Sequence, residues 1–149
     1  MDQDGLGEEL CLQVDRKVKV NFLARYTFGN KVVTKGIKNL HVNIRSLANK
    51  ISEVKNIVKD QKPHILGLSE CELKKLGSIF DEEKLKIPGY DLVFPKSWTQ
   101  HGFARVVIYI KSTIDYQHVD ELEDELVQSI WLKVGFKNCK KFYNCHVYK

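Results

Sequence analysis

The sequence predicts an α/β fold, and three observations carry the prediction. Residues 37–69 read strand, helix, strand over roughly 33 residues, the length of a βαβ-like unit. The second strand of that unit, HILGLS at 64–69, is apolar on both faces, as strands are in a sheet covered on both sides. Later segments, among them YDLVF and ARVVIYIK, add short apolar runs rich in β-branched and aromatic residues.

The elements follow in chain order. Residues 1–15 hold five acids and no Lys or Arg, whereas residues 16–40 hold seven Lys or Arg and no acid. Such a charge step marks an acidic tail followed by a basic segment. Within the basic segment, RKVKVNFLARYTFGNKVVTK (16–35) alternates Val18, Val20, Phe22, Ala24, Tyr26 and Phe28 with mostly polar residues, and Gly29-Asn30 supplies a turn. This predicts a strand–turn–strand hairpin. Residues 37–43 (IKNLHVN) predict a short strand, Ser46 an N-cap, and Leu47, Ile51, Val54, Ile57 and Val58 a helix over about 47–60 that Pro63 bars from continuing. The strand 64–69 then ends at Glu70. Both strands thus deliver a polar residue, Asn43 and Glu70, at one end of the sheet, where ligands of α/β proteins gather if the strands are parallel.

Residues 74–89 predict a charged connection closing at Pro88-Gly89. Strands follow at 90–94 and 104–111, with PKSWTQHGF between them as a loop. The acid cluster DELEDE (120–125) reads as a solvated loop. Residues 126–136 put Ile130, Leu132, Val134 and Phe136 on one face, and a hairpin around 137–140 returns as a strand at 141–148. Trp131 and the Ile130/Leu132 stripe read as core, and His41 and His64 as structural histidines with satisfied ring nitrogens.

Composition excludes several classes. The chain is 43% hydrophobic and 29% charged, which favours a packed core over disorder. No apolar run approaches the roughly 20 residues of a membrane span. The acidic opening MDQDGLGEEL lacks the basic and apolar regions of a signal peptide. A protein of the cell interior, nuclear or cytoplasmic, with no membrane partner is the expectation. Cys11, Cys71, Cys139 and Cys145 form no Cys-x-x-Cys pair, so they predict reduced thiols rather than a metal site. The net charge of +5 is compatible with a polyanionic partner.

Taken together, HVNIRSLANKISEVKNIVKDQKPHILGLSECEL, IPGYDLVF, GFARVVIYIKS, VQSIWLKV and FYNCHVY resemble the endonuclease/exonuclease/phosphatase superfamily. The likeness is greatest to the apurinic-type endonuclease domain of non-LTR retrotransposon polyproteins. It runs from about Gly36 to Lys149, about three quarters of the chain. Residues 1–35 then form a leader, and residues 36–149 the N-terminal part of such a domain. The resemblance implies a partial four-layer α/β/β/α sandwich, truncated before its second half. It also implies a Mg²⁺- or Mn²⁺-dependent phosphodiesterase that nicks DNA.

By the same resemblance Glu70 is a metal ligand, Asn43 positions metal and phosphate, and Tyr148 contacts the phosphate. Arg45 is a further candidate for phosphate binding. A hard cation with one or two protein carboxylates and a shell of water suits Mg²⁺, and here it would bind weakly. The family's Gly-Asp-x-Asn motif and Asp-His pair orient the attacking water and hold the phosphate. The sequence contains no Gly-Asp and no Asp-His dipeptide. The family glycine after its Gly-aromatic element is Arg105 here. The expectation is therefore a fragment of an endonuclease without turnover of its own, with self-association through an exposed sheet face. The alternative is a non-catalytic α/β module that binds nucleic acid or another partner.

Overall fold

A computed structural model describes residues 12–15, 18–28, 31–75, 81–124, 126–136 and 139–148. The described residues form a mixed α/β fold with two sheets. The first sheet has six strands in the order β1-β2-β3-β4-β6-β5. Its strands are β1 (Leu12–Asp15), β2 (Val18–Phe28), β3 (Lys31–Asn43), β4 (Ile65–Lys74), β5 (Tyr90–Val93) and β6 (Phe103–Lys111).

The expected hairpin at 16–35 is present as the antiparallel β2–β3 pair, running from Phe28↔Lys31 to Val18↔Val42. Its turn, Gly29-Asn30, lies outside the described residues. β3 continues unbroken into the strand predicted at 37–43, so residues 35 and 36 are neighbours within one strand.

The βαβ unit is real. β3 and β4 are parallel, in register from Asn39↔Ile65 to Asn43↔Ser69. The helix between them, α1, spans Leu47–Gln61 and buries Leu47, Val54 and Val58. Lys62 ends it in the left-handed region, one residue before Pro63. One expectation fails in detail. Ser46 occupies the N-cap position, but at φ 79° its side chain makes no capping hydrogen bond. The backbone of this turn is tied instead to β4: Ile44 N–H donates to Ser69 O (3.0 Å) and Ser46 N–H to Glu70 O (2.8 Å).

Alternation divides the first sheet into two buried faces, as expected for β4. Leu40, Val42, Leu66, Leu68, Val107 and Tyr109 cluster with the apolar face of α1. Ile37, Ile65, Val106, Ile108 and Ile110 form the other cluster, together with Ile130, Leu132 and Val134 of the second sheet. That sheet has three strands, β7 (Asp115–His118), β8 (Ser129–Gly135) and β9 (Phe142–Val147), in the order β7-β8-β9. Helix, first sheet and second sheet therefore stack as three layers. The predicted return hairpin is β8–β9, paired from Ser129↔Val147 to Val134↔Phe142.

The structure corrects four further readings. β7 was not foreseen. The loop predicted around Trp98 contains a short helix, α2 (Lys96–His101), because buried Trp98 stacks on Phe94 and Gly102, at φ 72°, closes the turn. The acid cluster is not wholly solvated: Glu123 is buried. Trp131 is half-buried on the face of β8 opposite Ile130 and Leu132, so it does not belong to the core stripe.

Candidate metal and phosphate site

Glu70 does not end its strand. β4 runs four residues further, to Lys74. The ladder with β6 is broken between Ser69↔Val106 and Leu73↔Ala104, so Glu70, Cys71 and Glu72 face the single residue Arg105. Glu70 and Glu72 adopt φ 54° and 53°, and Arg45 and Ser46 of the adjoining turn φ 48° and 79°. Each such residue costs on the order of 1–3 kcal/mol, and such strain concentrates at functional sites. A bulge of this kind re-aims side chains. Cys71 turns into the core, where its Sγ–H donates to Leu68 O (3.4 Å) and burial pushes the thiol pKa up. Glu70 is left at the surface with its side chain 33% exposed.

Of the residues singled out from the sequence, the structure brings Arg45 and Tyr148 to Glu70 and places Asn43 on the adjoining strand. Arg45 Nε lies 3.6 Å from Glu70 Oε2, in a pair whose arginine is 69% exposed. Asn43 is in register with Ser69, next to Glu70, and its Oδ1 is buried without a hydrogen-bond partner. Tyr148, just past β9, lines the same cleft of about 970 Å³ as Glu70. Arg45 comes close through the β3–α1 turn, and Tyr148 reaches the cleft through the packing of the second sheet on the first, whereas Asn43 does not line the cleft.

No family model and no curated protein matches this chain.

Three features escaped sequence reasoning. The first is Gln128. Its Oε1 accepts from the backbone N–H groups of Arg105 and, at 2.9 Å, of Val106. Its Nε2 donates to Ser97 Oγ (2.8 Å), and its carbonyl accepts from Tyr148 N–H (2.9 Å). Gln128 so ties β6 to α2 through its side chain and the end of β9 through its backbone carbonyl. A lone Gln before a strand carries no sequence signal of this.

The second is a polar chain between the sheets. The His41 and His146 rings stack, with Nδ1 atoms 2.9 Å apart. His41 Nε2 meets Ser69 Oγ at 3.2 Å, and His146 Nε2 meets Asn39 Oδ1 at 3.1 Å. An amide oxygen only accepts, so His146 Nε2 donates to it. His146 Nδ1 then accepts from His41, and His41 Nε2 accepts from the Ser69 hydroxyl. Burial, and the neighbouring His41, push the His146 pKa down to about 3. Gly67 makes room for this ring: a Cβ there would lie 1.9 Å from His146 Nδ1. The expectation that His41 and His64 are satisfied fits, since His64 Nδ1 also accepts from Lys38 N–H (2.9 Å).

The third is the His118–Glu123 pair, 2.9 Å apart, with the Glu123 side chain 3% exposed. The hydrogen bond that His118 Nε2–H donates to the Glu123 carboxylate raises the His118 pKa. Glu123 Oε1 also accepts from Lys96 N–H (3.2 Å), which anchors α2 to the second sheet.

The donor set at Glu70 consists of hard oxygens. A carboxylate at the rim of a cleft suits a largely hydrated divalent cation, while the buried Asn43 Oδ1 does not line that cleft. Among the described residues, no group of three or more His, Cys, Asp or Glu side chains could hold a metal. Water would supply most of the coordination.

Proposed function

We propose that this chain carries the metal- and phosphate-holding edge of a divalent-metal phosphodiesterase. It would be built on part of the four-layer sandwich of the endonuclease/exonuclease/phosphatase superfamily and be most like a retroelement DNA endonuclease. The observation that carries the reading is the convergence at one cleft of Glu70, near the middle of the sequence, and Tyr148, near its end, with Asn43 on the strand next to that of Glu70. Glu70, with Asn43 on the adjoining strand, would hold Mg²⁺ or Mn²⁺, which when bound supplies charge neutralisation to a phosphodiester and its leaving oxygen. Tyr148 would donate its hydroxyl proton in a hydrogen bond to a phosphate oxygen. Arg45, displaced from Glu70 by the cation, would add a second donor. No Gly-Asp or Asp-His element is present to orient an attacking water. Losses of this kind cost orders of magnitude in rate each, so nicking by the chain is expected at background.

The alternative reading, a non-catalytic nucleic-acid-binding module, draws on the Arg45–Glu70 pair, which already neutralises the carboxylate without a metal. Mn²⁺-enhanced water-proton relaxation decides between them, run on the wild type and Glu70→Gln beside a plasmid-nicking assay. The metal reading expects weak Mn²⁺ binding that falls on the order of tenfold in the variant. Unchanged Mn²⁺ binding in Glu70→Gln would overturn it in favour of the module.

A further inference from the structure

The cleft at Glu70 has a neighbour. A second cavity of about 470 Å³ lies between α2 and the segment leading into β8. The two share four residues, His101, Phe103, Arg105 and Tyr148. These four form a continuous ridge. The His101 and Phe103 rings lie 6.2 Å apart at 29°. The Arg105 guanidinium sits 5.8 Å from the centre of the Phe103 ring and 5.4 Å from that of Tyr148. Arg105 is exposed, while Phe103 and Tyr148 are half-buried. On the far side of the ridge Leu126 and Val127 are 92% and 42% exposed, an apolar flank. The acids on that side are engaged: Glu123 with His118 and Lys96, and Asp124 Oδ1 with the N–H of Leu126 (2.7 Å).

A planar cation flanked by rings, with an apolar flank on one side and a candidate phosphate site on the other, has the chemistry of a stacking surface. Bases stack on aromatic faces and on guanidinium planes, and the charge attracts the backbone. We propose that the ridge Phe103–Arg105–Tyr148 is a platform for unpaired bases of single-stranded nucleic acid. A base would rest on the ridge toward Leu126 while its phosphate lies on the Glu70 side. Gln128 fixes the height of the ridge by holding the backbone of Arg105 and Tyr148. The inference deepens the reading above by naming an unpaired strand as the polymer held beside Glu70.

The test compares two oligomers of equal length and charge, an oligothymidylate and an abasic oligomer, by fluorescence anisotropy. The wild type should bind the thymidylate more tightly, on the order of tenfold for one stacked base. Arg105→Lys keeps the charge and loses the plane. It should keep its affinity for the abasic oligomer and lose most of the preference for bases. Tyr148→Phe keeps a ring and should keep the preference. Equal binding of the two oligomers by the wild type overturns the platform and leaves the metal and phosphate reading standing. No binding of either overturns the platform too. A base preference that survives alongside unchanged Mn²⁺ binding in Glu70→Gln supports the platform and removes the metal reading instead.

Discussion

Two of the perturbed histidines, His146 and His118, couple folding to pH with opposite signs. His146 is held far below its usual value of 6.5, at about 3, so between those values the unfolded chain binds a proton that the folded chain refuses. Its contribution to stability is present above about pH 6.5 and is lost as pH falls toward 3. His118 is raised by Glu123, so its contribution is complete below pH 6.5 and is lost as pH rises through the raised value. Melting temperatures across this range should fall on the acid side in the wild type and less steeply in His146→Gln. His118→Gln should lose the separate decline that sets in as pH rises past 6.5. An unchanged acid slope in His146→Gln would show that the ring is not buried neutral. Neither residue announced itself in the sequence, because a histidine in a β-strand looks alike whether it faces water or another histidine.

Among the elements, the βαβ unit was legible because helical periodicity and a two-sided apolar strand are local patterns. The bulge at Glu70–Glu72 was not. Left-handed backbone is ordinarily written with glycine or asparagine, and here two glutamates carry it. The cause is tertiary: the β3–α1 turn bonds to Ser69 and Glu70, and β6 offers Arg105 alone opposite three residues. The helix at 96–101 was missed for a related reason, since its main determinant is the stacking of Trp98 on Phe94. Gln128 joins elements that the sequence keeps apart. Gln128→Ala removes three side-chain hydrogen bonds, each worth roughly 0.5–1.5 kcal/mol net. A loss of about 2 kcal/mol is expected, read as a lower urea midpoint at constant slope. A loss below about 0.5 kcal/mol would show that packing alone holds the sheets together at this end.

At the scale of the whole molecule, α1 packs on one face of the β3–β4–β6 part of the first sheet and the second sheet on the other, while the outer face of the second sheet carries Trp131, Tyr143 and Val147. Tyr143 and Val147 are 55% and 38% exposed. The sequence-based expectation of self-association points to this face, and we propose it as the contact between copies. Sedimentation equilibrium should show association that rises with concentration and is weakened by combining Tyr143→Lys with Val147→Lys. A wild type that stays monomeric throughout the accessible range would dismiss the contact.

Legible in the sequence were the α/β class, the strand–helix–strand unit, the return hairpin and the placing of Asn43 and Glu70 at neighbouring strand ends. Apolar period and turn residues act over a few positions, and a strand–helix–strand of this length has few ways to bury its apolar faces. Tertiary packing set the parallel pairing of β3 and β4, put Glu70 on a bulge and brought Arg45 to it. The same holds for Tyr148, which reaches its cleft from the second sheet, and for Arg105 between two rings. Those contacts join residues far apart in the chain, and their geometry is set by how the two sheets pack, which no local pattern encodes.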